Sequence, residues 1–101
     1  MWAQLIKMRV KAGREQDLPG LLDQLHEAEQ PDSGLQRTIA MQDQKDPGQV
    51  YVLVVFGSEE QARAREADPR RREALATVQA MMEELFDGPR EFVDLDVVRD
   101  V

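Results

Sequence analysis

Val50, Tyr51, Val52, Leu53, Val54, Val55 and Phe56 form a run in which every position is apolar or aromatic. The run is rich in β-branched residues and bounded by Pro47–Gly48 before and Gly57 after, so it reads as a strand. Successive side chains of a strand point to opposite faces of its sheet, and this one therefore needs apolar cover on both faces. A chain of 101 residues is one domain, 1–101, with room for one modest core. With 42% apolar and only 5% aromatic residues, it has little material with which to cover two faces.

The flanking segments supply that cover in a recognisable order. From Trp2 to Val10 the pattern alternates, with Trp2, Ile6, Met8 and Val10 on one side and Ala3, Leu5, Lys7 and Arg9 on the other, which predicts a first strand. Beyond Gly13, Leu18, Leu21, Leu22, Leu25 and Ala28 recur at spacings of three and four and stack on one helical face. That helix starts between Arg14 and Asp17, holds Pro19 in its first turn where no N–H partner is lost, and ends near Gln30. After a loop at Pro31–Gly34, a strand of mixed polarity from Leu35 to Asp43 suits a sheet edge. Asp46-Pro47-Gly48-Gln49 predicts a type II turn with Gly48 at positive φ, making a hairpin with the apolar run. Ser58 and Gln61 have capping-box spacing and open a short helical turn. Asp68 and Pro69 then cap a longer helix with Leu75, Val78, Met82 and Leu85 as its buried stripe, stopped by Gly88 and Pro89. A last strand runs from Glu91 to Val98, with Val93, Leu95 and Val97 opposite Phe92, Asp94, Asp96 and Val98.

The order β-α-β-β-α-β is the split βαβ, or ferredoxin-like, arrangement: an α+β fold whose right-handed crossovers place both helices on one face of a four-stranded antiparallel sheet. Helices on one face leave the other bare. The apolar run would expose a contiguous patch there, so the pattern predicts a homodimer with two sheets packed face to face.

Charge and composition exclude several classes of function. Thirteen basic and 20 acidic residues give −7, which argues against a broad grip on nucleic acid. No stretch approaches the about 20 apolar residues that span a bilayer, and the N-terminus lacks the order of a signal peptide, so no membrane partner and a cytoplasmic location are expected. The absence of cysteine excludes disulfides, thiol catalysis and thiolate metal sites.

Across nearly all of its length the chain resembles the dimeric α+β barrel superfamily, and most closely its antibiotic biosynthesis monooxygenase type. The residues that carry the resemblance are Met1–Val10 running into Lys11, Ala12 and Gly13, the hairpin at Asp46, Pro47 and Gly48, and the stretch from Val54, Val55 and Phe56 through Gly57, Ser58, Glu59, Glu60, Gln61 and Ala62. The resemblance implies a pocket between sheet and helices in each subunit. It also implies oxidation of a small aromatic or quinol-like molecule without metal or organic cofactor, or, alternatively, a non-catalytic dimer that binds a small hydrophobic ligand. Many relatives carry an aromatic at the position of Phe56 and histidines near those of Arg65 and Arg70. Haem-binding relatives place their iron ligand in that same second helical region.

Such chemistry needs apolar walls, a proton acceptor and a cation or N–H near the developing oxyanion. Trp2, Met8, Phe56 and Met82 are the candidate walls, and Tyr51 and Arg65 the candidate catalytic residues that orient an oxyanion. Arginine stays protonated and cannot act as a base. Tyr51 also fits a core or interface role, and His26, the only histidine, reads as a solvated flank of the first helix or as the base. Asp94 and Asp96 share a face and read as an edge charge or a cation pair; no metal site is assigned. Arg63, Arg65, Arg70, Arg71 and Arg72, interleaved with Glu66, Asp68 and Glu73, read as a solvated face or as an anion-recognising rim at the pocket mouth.

Overall fold

The apolar run occupies the interior of the sheet. In the computed structural model, which describes residues 1–101, β3 (Gln49–Phe56) pairs antiparallel with β1 (Trp2–Arg9) on one side and β2 (Leu35–Gln42) on the other. β4 (Glu91–Asp96) pairs with β1, giving the order β2-β3-β1-β4. The expected antiparallel, ferredoxin-like α+β fold is therefore observed.

Register sorts the side chains. Phe56 faces Trp2, Val52 faces Ile6 and Val50 faces Met8 across the central pair, all on the helix side of the sheet. Tyr51 opposite Lys7, Leu53 opposite Leu5 and Val55 opposite Ala3 lie on the other side. The first set is buried along β3; Tyr51, Leu53 and Val55 are half-buried.

Over the covered face lie α1 (Leu18–Glu27), α2 (Glu59–Ala67), α3 (Pro69–Ala76) and α4 (Gln79–Leu85). A short 3-10 turn at Glu15–Asp17 leads into α1, so the helix proper begins at Leu18, with Pro19 in its first turn as expected. The Ser58 hydroxyl accepts the Gln61 N–H at 3.2 Å to cap α2, and the Asp68 carboxylate accepts the Arg70 N–H at 2.9 Å to cap α3. Leu21 of α1 and Leu85 of α4 are fully buried against the sheet. No helix is long and apolar enough to cross a membrane.

Two expectations are corrected. The long helix predicted after Asp68 is divided at Thr77–Val78, where the Val78 N–H reaches Leu75 O at 3.0 Å and the Thr77 hydroxyl donates to Ala74 O at 2.9 Å. Two adjacent β-branched residues, one with a hydroxyl that competes for backbone carbonyls, weaken a helix at that point. Gly48 does not have positive φ, so the hairpin turn is not type II, although the Gln49 N–H does close it on Asp46 O at 2.9 Å. Gly48 is required by proximity instead: its carbonyl accepts the Val10 N–H at 2.8 Å, and a Cβ on it would stand 3.2 Å from Val10 O. At the ends, β1 stops at Arg9, with Val10 bridging to Phe86, and β4 stops at Asp96 short of the predicted Val98.

Leu21 has no exposed surface, so Leu21→Ala should leave a cavity and destabilise the fold by about 3 kcal/mol. Urea unfolding followed by circular dichroism checks this; a loss below about 1 kcal/mol would mean that α1 does not anchor the core.

Candidate functional site

Between the sheet and the helices lies a cavity of about 400 Å³. Its origin is local. On the helix side β2 presents Thr38 and Ala40, side chains too small to reach the helices, and both remain exposed to the gap. Ile6, Met8, Val52 and Val54 make the floor, and Leu22 and Leu25 of α1, Leu75 of α3 and Met82 of α4 make the walls. Phe86 and Phe92 stand where the cavity joins an open groove running along Gln79, Glu83 and Pro89.

Trp2 and Phe56 are 4% and 2% exposed and pack with ring centroids 6.0 Å apart at 48°. They do not line the cavity themselves. The Arg63 guanidinium lies 5.1 Å from the Trp2 ring and the Arg65 guanidinium 5.3 Å from the Phe56 ring, both in cation–π range. Arg65 reaches the cavity wall, yet its Nε and Nη2 donate to the Glu29 carboxylate at 2.6–3.0 Å in a forked pair 17% and 14% exposed. This pair ties α2 to the segment just after α1.

The candidate residues thus divide. Met8, Met82 and Arg65 meet at the cavity, whereas Trp2 and Phe56, expected as walls, are packed in the buried core and do not line it. Tyr51 is on the opposite face of the sheet, beside Lys7 and Met41, with the whole sheet between its ring and the cavity. His26 lines the cavity from α1 although much of it is exposed. Asp94 accepts from Gln4 at 2.9 Å and from Arg63 at 2.8 Å, and these two bonds hold its carboxyl below the usual carboxylate range. No three acidic or histidine side chains gather closely enough to hold a metal ion. Arg70 pairs with Asp68 and Asp32 at the surface. Several cavity residues have no role assigned from the sequence, among them Asp23, Glu29, Phe86 and Arg90. Glu29 could have been found only by knowing that the end of α1 meets α2.

Arg71 also lines the cavity, half-buried. Burial, and next to it the positive charge of Arg65, pull its guanidinium below the ordinary arginine value. Burial works in the opposite sense on Glu29, raising its carboxyl, but the hydrogen bonds and charge of Arg65, joined by the charge of Arg71, outweigh it and leave Glu29 below the ordinary glutamate value.

An antiparallel four-stranded sheet in the order β2-β3-β1-β4 with helices on one face is the architecture of a ferredoxin-like α+β domain. The model of the antibiotic biosynthesis monooxygenase family matches residues 1–85, and the chain belongs to that family. The match ends with α4, while β4 beyond it completes the sheet. Similar solved structures include a protein of Nitrosomonas europaea that bears the same family name, 17% identical with a TM-score of 0.75 over 98% of this chain and 100% of that one. Another is a MhuD variant with two manganese protoporphyrin IX molecules bound per active site, 20% identical with a TM-score of 0.81 over 100% of this chain and 98% of that one. A further family-named protein, from Bordetella bronchiseptica, is 15% identical with a TM-score of 0.77 over 97% of both chains. At these identities the likeness establishes the fold. No protein of curated function matches the chain by sequence.

Because the folded Glu29 carboxyl is held below its unfolded value, its contribution to stability is present above the unfolded glutamate value of about 4.3 and is lost as pH falls below it towards the folded value. Glu29→Gln should therefore flatten the acid limb of the stability profile below about pH 4.3 relative to the unsubstituted chain, measured by urea midpoints from pH 3 to 7. It should also cost about 2 kcal/mol at pH 7, since it leaves the Arg65 charge without its counterion. An unchanged acid limb would mean that the pair does not link folding to protonation.

Proposed function

We propose that the cavity is the active site of a monooxygenase that acts on a small aromatic or quinol-like molecule without metal or organic cofactor, in a single domain spanning 1–101. The observation that carries this reading is the cavity itself: mostly apolar on its floor and walls, with a few charged and polar groups at its border. Membership of a monooxygenase-named family is consistent with it.

In this scheme the substrate loses a proton and its electron-rich anion reduces dioxygen. A C–O bond then forms, one oxygen stays in the product, and the other leaves as water, so that an activated CH2 and O2 become C=O and H2O. Met8, Met82, Ile6 and Val52 hold the substrate by its apolar surface and keep water out, which strengthens charge interactions inside. His26 is the one imidazole in the chain and lines the cavity, so it is the candidate proton acceptor. Arg65 is clamped by Glu29 and presents fixed positive charge towards the developing oxyanion rather than taking a proton.

Tyr51 belongs to a different surface. With Leu5, Leu53, Val55, Ile39 and Val93 it lies on the face that no helix covers. A second copy of the chain, packed sheet to sheet, removes that apolar area from water and completes a dimeric α+β barrel. Light scattering should give a mass twice the 11.5 kDa of one chain, and Leu53→Asp should halve it. A monomer at micromolar concentration would contradict the assembly.

A second reading has its own support. The two second-helix positions where many relatives carry histidine are Arg65, held by Glu29, and Arg70, held by Asp68 and Asp32, and neither can accept a proton. That arrangement fits a dimer that binds a small hydrophobic ligand without turning it over. Oxygen uptake with a panel of quinols and anthrone-type compounds, in the presence of a chelator, separates the two. The monooxygenase reading expects chelator-insensitive uptake that falls about 100-fold in His26→Ala. No uptake across the panel, together with a rise in Tm for some of the same compounds, would leave the binding module.

A further inference from the structure

The chain carries a net charge of −7, yet Arg65, Arg71 and Arg90 line this cavity against only two carboxylates, Asp23 and Glu29. Glu29 is already committed to Arg65 through three hydrogen bonds. Arg71 makes no hydrogen bond or ion pair with any side chain, although the charges of Glu29 and Glu66 act on it from farther away. Arg9, Arg14, Arg63, Arg65 and Arg70 are each paired with a carboxylate. Of the arginines that are not, Arg37, Arg72, Arg90 and Arg99 are exposed to solvent, where an unpaired charge costs little, and Arg71 alone is half-buried. Burial of a charge is unfavourable unless a counterion accompanies it.

Arg90 adds to this imbalance. It too lacks a carboxylate, lies close enough to Arg71 to repel its charge, and sits 5.7 Å from the Phe92 ring at the cavity mouth. Two guanidinium groups without a hydrogen-bonded carboxylate therefore border a space whose apolar lining includes Leu75, Met82 and Phe86. A guanidinium presents a planar fork of N–H donors that matches a carboxylate, and an apolar wall with an aromatic at its rim matches a flat ring system.

We propose that the cavity takes an aromatic carboxylate, its ring system seated against Leu75, Met82 and Phe86 and its carboxylate held by Arg71, with Arg90 at the mouth. This rests on the reading of the cavity as a ligand site and adds the charge and polarity of the ligand to it. The hydrogen-bonded carboxylate that Arg71 lacks is supplied by the ligand, which also orients it: acid group towards Arg71, ring system against Leu75, Met82 and Phe86.

The test uses two fluorescent probes of one shape, anthracene-2-carboxylate and the neutral anthracene-2-carboxamide, titrated by anisotropy into the full chain. The carboxylate should bind at least about tenfold more tightly than the amide, the difference a charge-assisted hydrogen bond provides. Arg71→Gln should abolish that preference by weakening the carboxylate far more than the amide, and Arg71→Lys should retain part of it. Equal binding of the two probes, or a preference that survives Arg71→Gln, would overturn the anion assignment and leave the cavity reading intact. Binding of neither probe would overturn both. The comparison of the two probes on the unsubstituted chain decides the question even if Arg71→Gln fails to fold, and circular dichroism shows whether it has.

Discussion

A β-strand has two faces, and β3 is apolar on both. Every other feature of the molecule follows from how those faces are covered. The antiparallel register with β1 sends Val50, Val52, Val54 and Phe56 to one side and Tyr51, Leu53 and Val55 to the other. A slip of one residue would exchange the two sets, so the buried helix side pins the register. Four helices close over the first side only. What they fail to fill becomes the cavity, and the side they never reach is left uncovered by this chain.

The cavity owes its chemistry to this division of labour. Its floor is Val52 and Val54 of β3 with Gln4, Ile6 and Met8 of β1, so it is mostly apolar because the helix side of the central pair is. Apart from Gln4 of β1 and Thr38 of β2, its polar groups come from the helices, the segment after α1 and the segment before β4, which supply His26, Glu29, Arg65, Arg71 and Arg90. Glu29 and Arg65 lock α2 to the chain beyond α1, fixing one guanidinium over Phe56. Arg71, one helix further on, has no such clamp. A fixed charge and a free one around a dry floor suit a ligand with an apolar body and a single polar end.

Much of this was legible in the sequence, for a physical reason: side-chain period. Alternation in β1, β3 and β4, and three-four spacing in α1, identify elements and faces without any knowledge of contacts, and they place Met8 and Met82 towards the interior and Tyr51 away from Val52 and Val54. Period fails where it continues unbroken through a change of structure. Leu75, Val78, Met82 and Leu85 keep helical spacing across the break at Thr77–Val78, so one helix was expected where two are found. Gly48 illustrates a different limit, since a glycine kept for the approach of a distant backbone looks the same in sequence as one kept for positive φ. The state of Arg71 was hidden for a third reason. Asp68, three residues before it, offers a carboxylate at helical spacing, but that carboxylate caps α3 and pairs with Arg70 instead.

The central claim is that the two faces of the sheet do different work, one enclosing a ligand and the other meeting a subunit. Methionine methyl groups report on both, because Met8 and Met82 line the cavity while Met41 lies beside Tyr51 on the uncovered face. The most direct measurement is a 13C-methyl methionine NMR titration with anthracene-2-carboxylate. The account predicts that the Met8 and Met82 signals move in a saturable way while that of Met41 stays in place. Saturable movement of Met41 with Met8 and Met82 unchanged would contradict it, by placing the ligand on the face assigned here to the second copy.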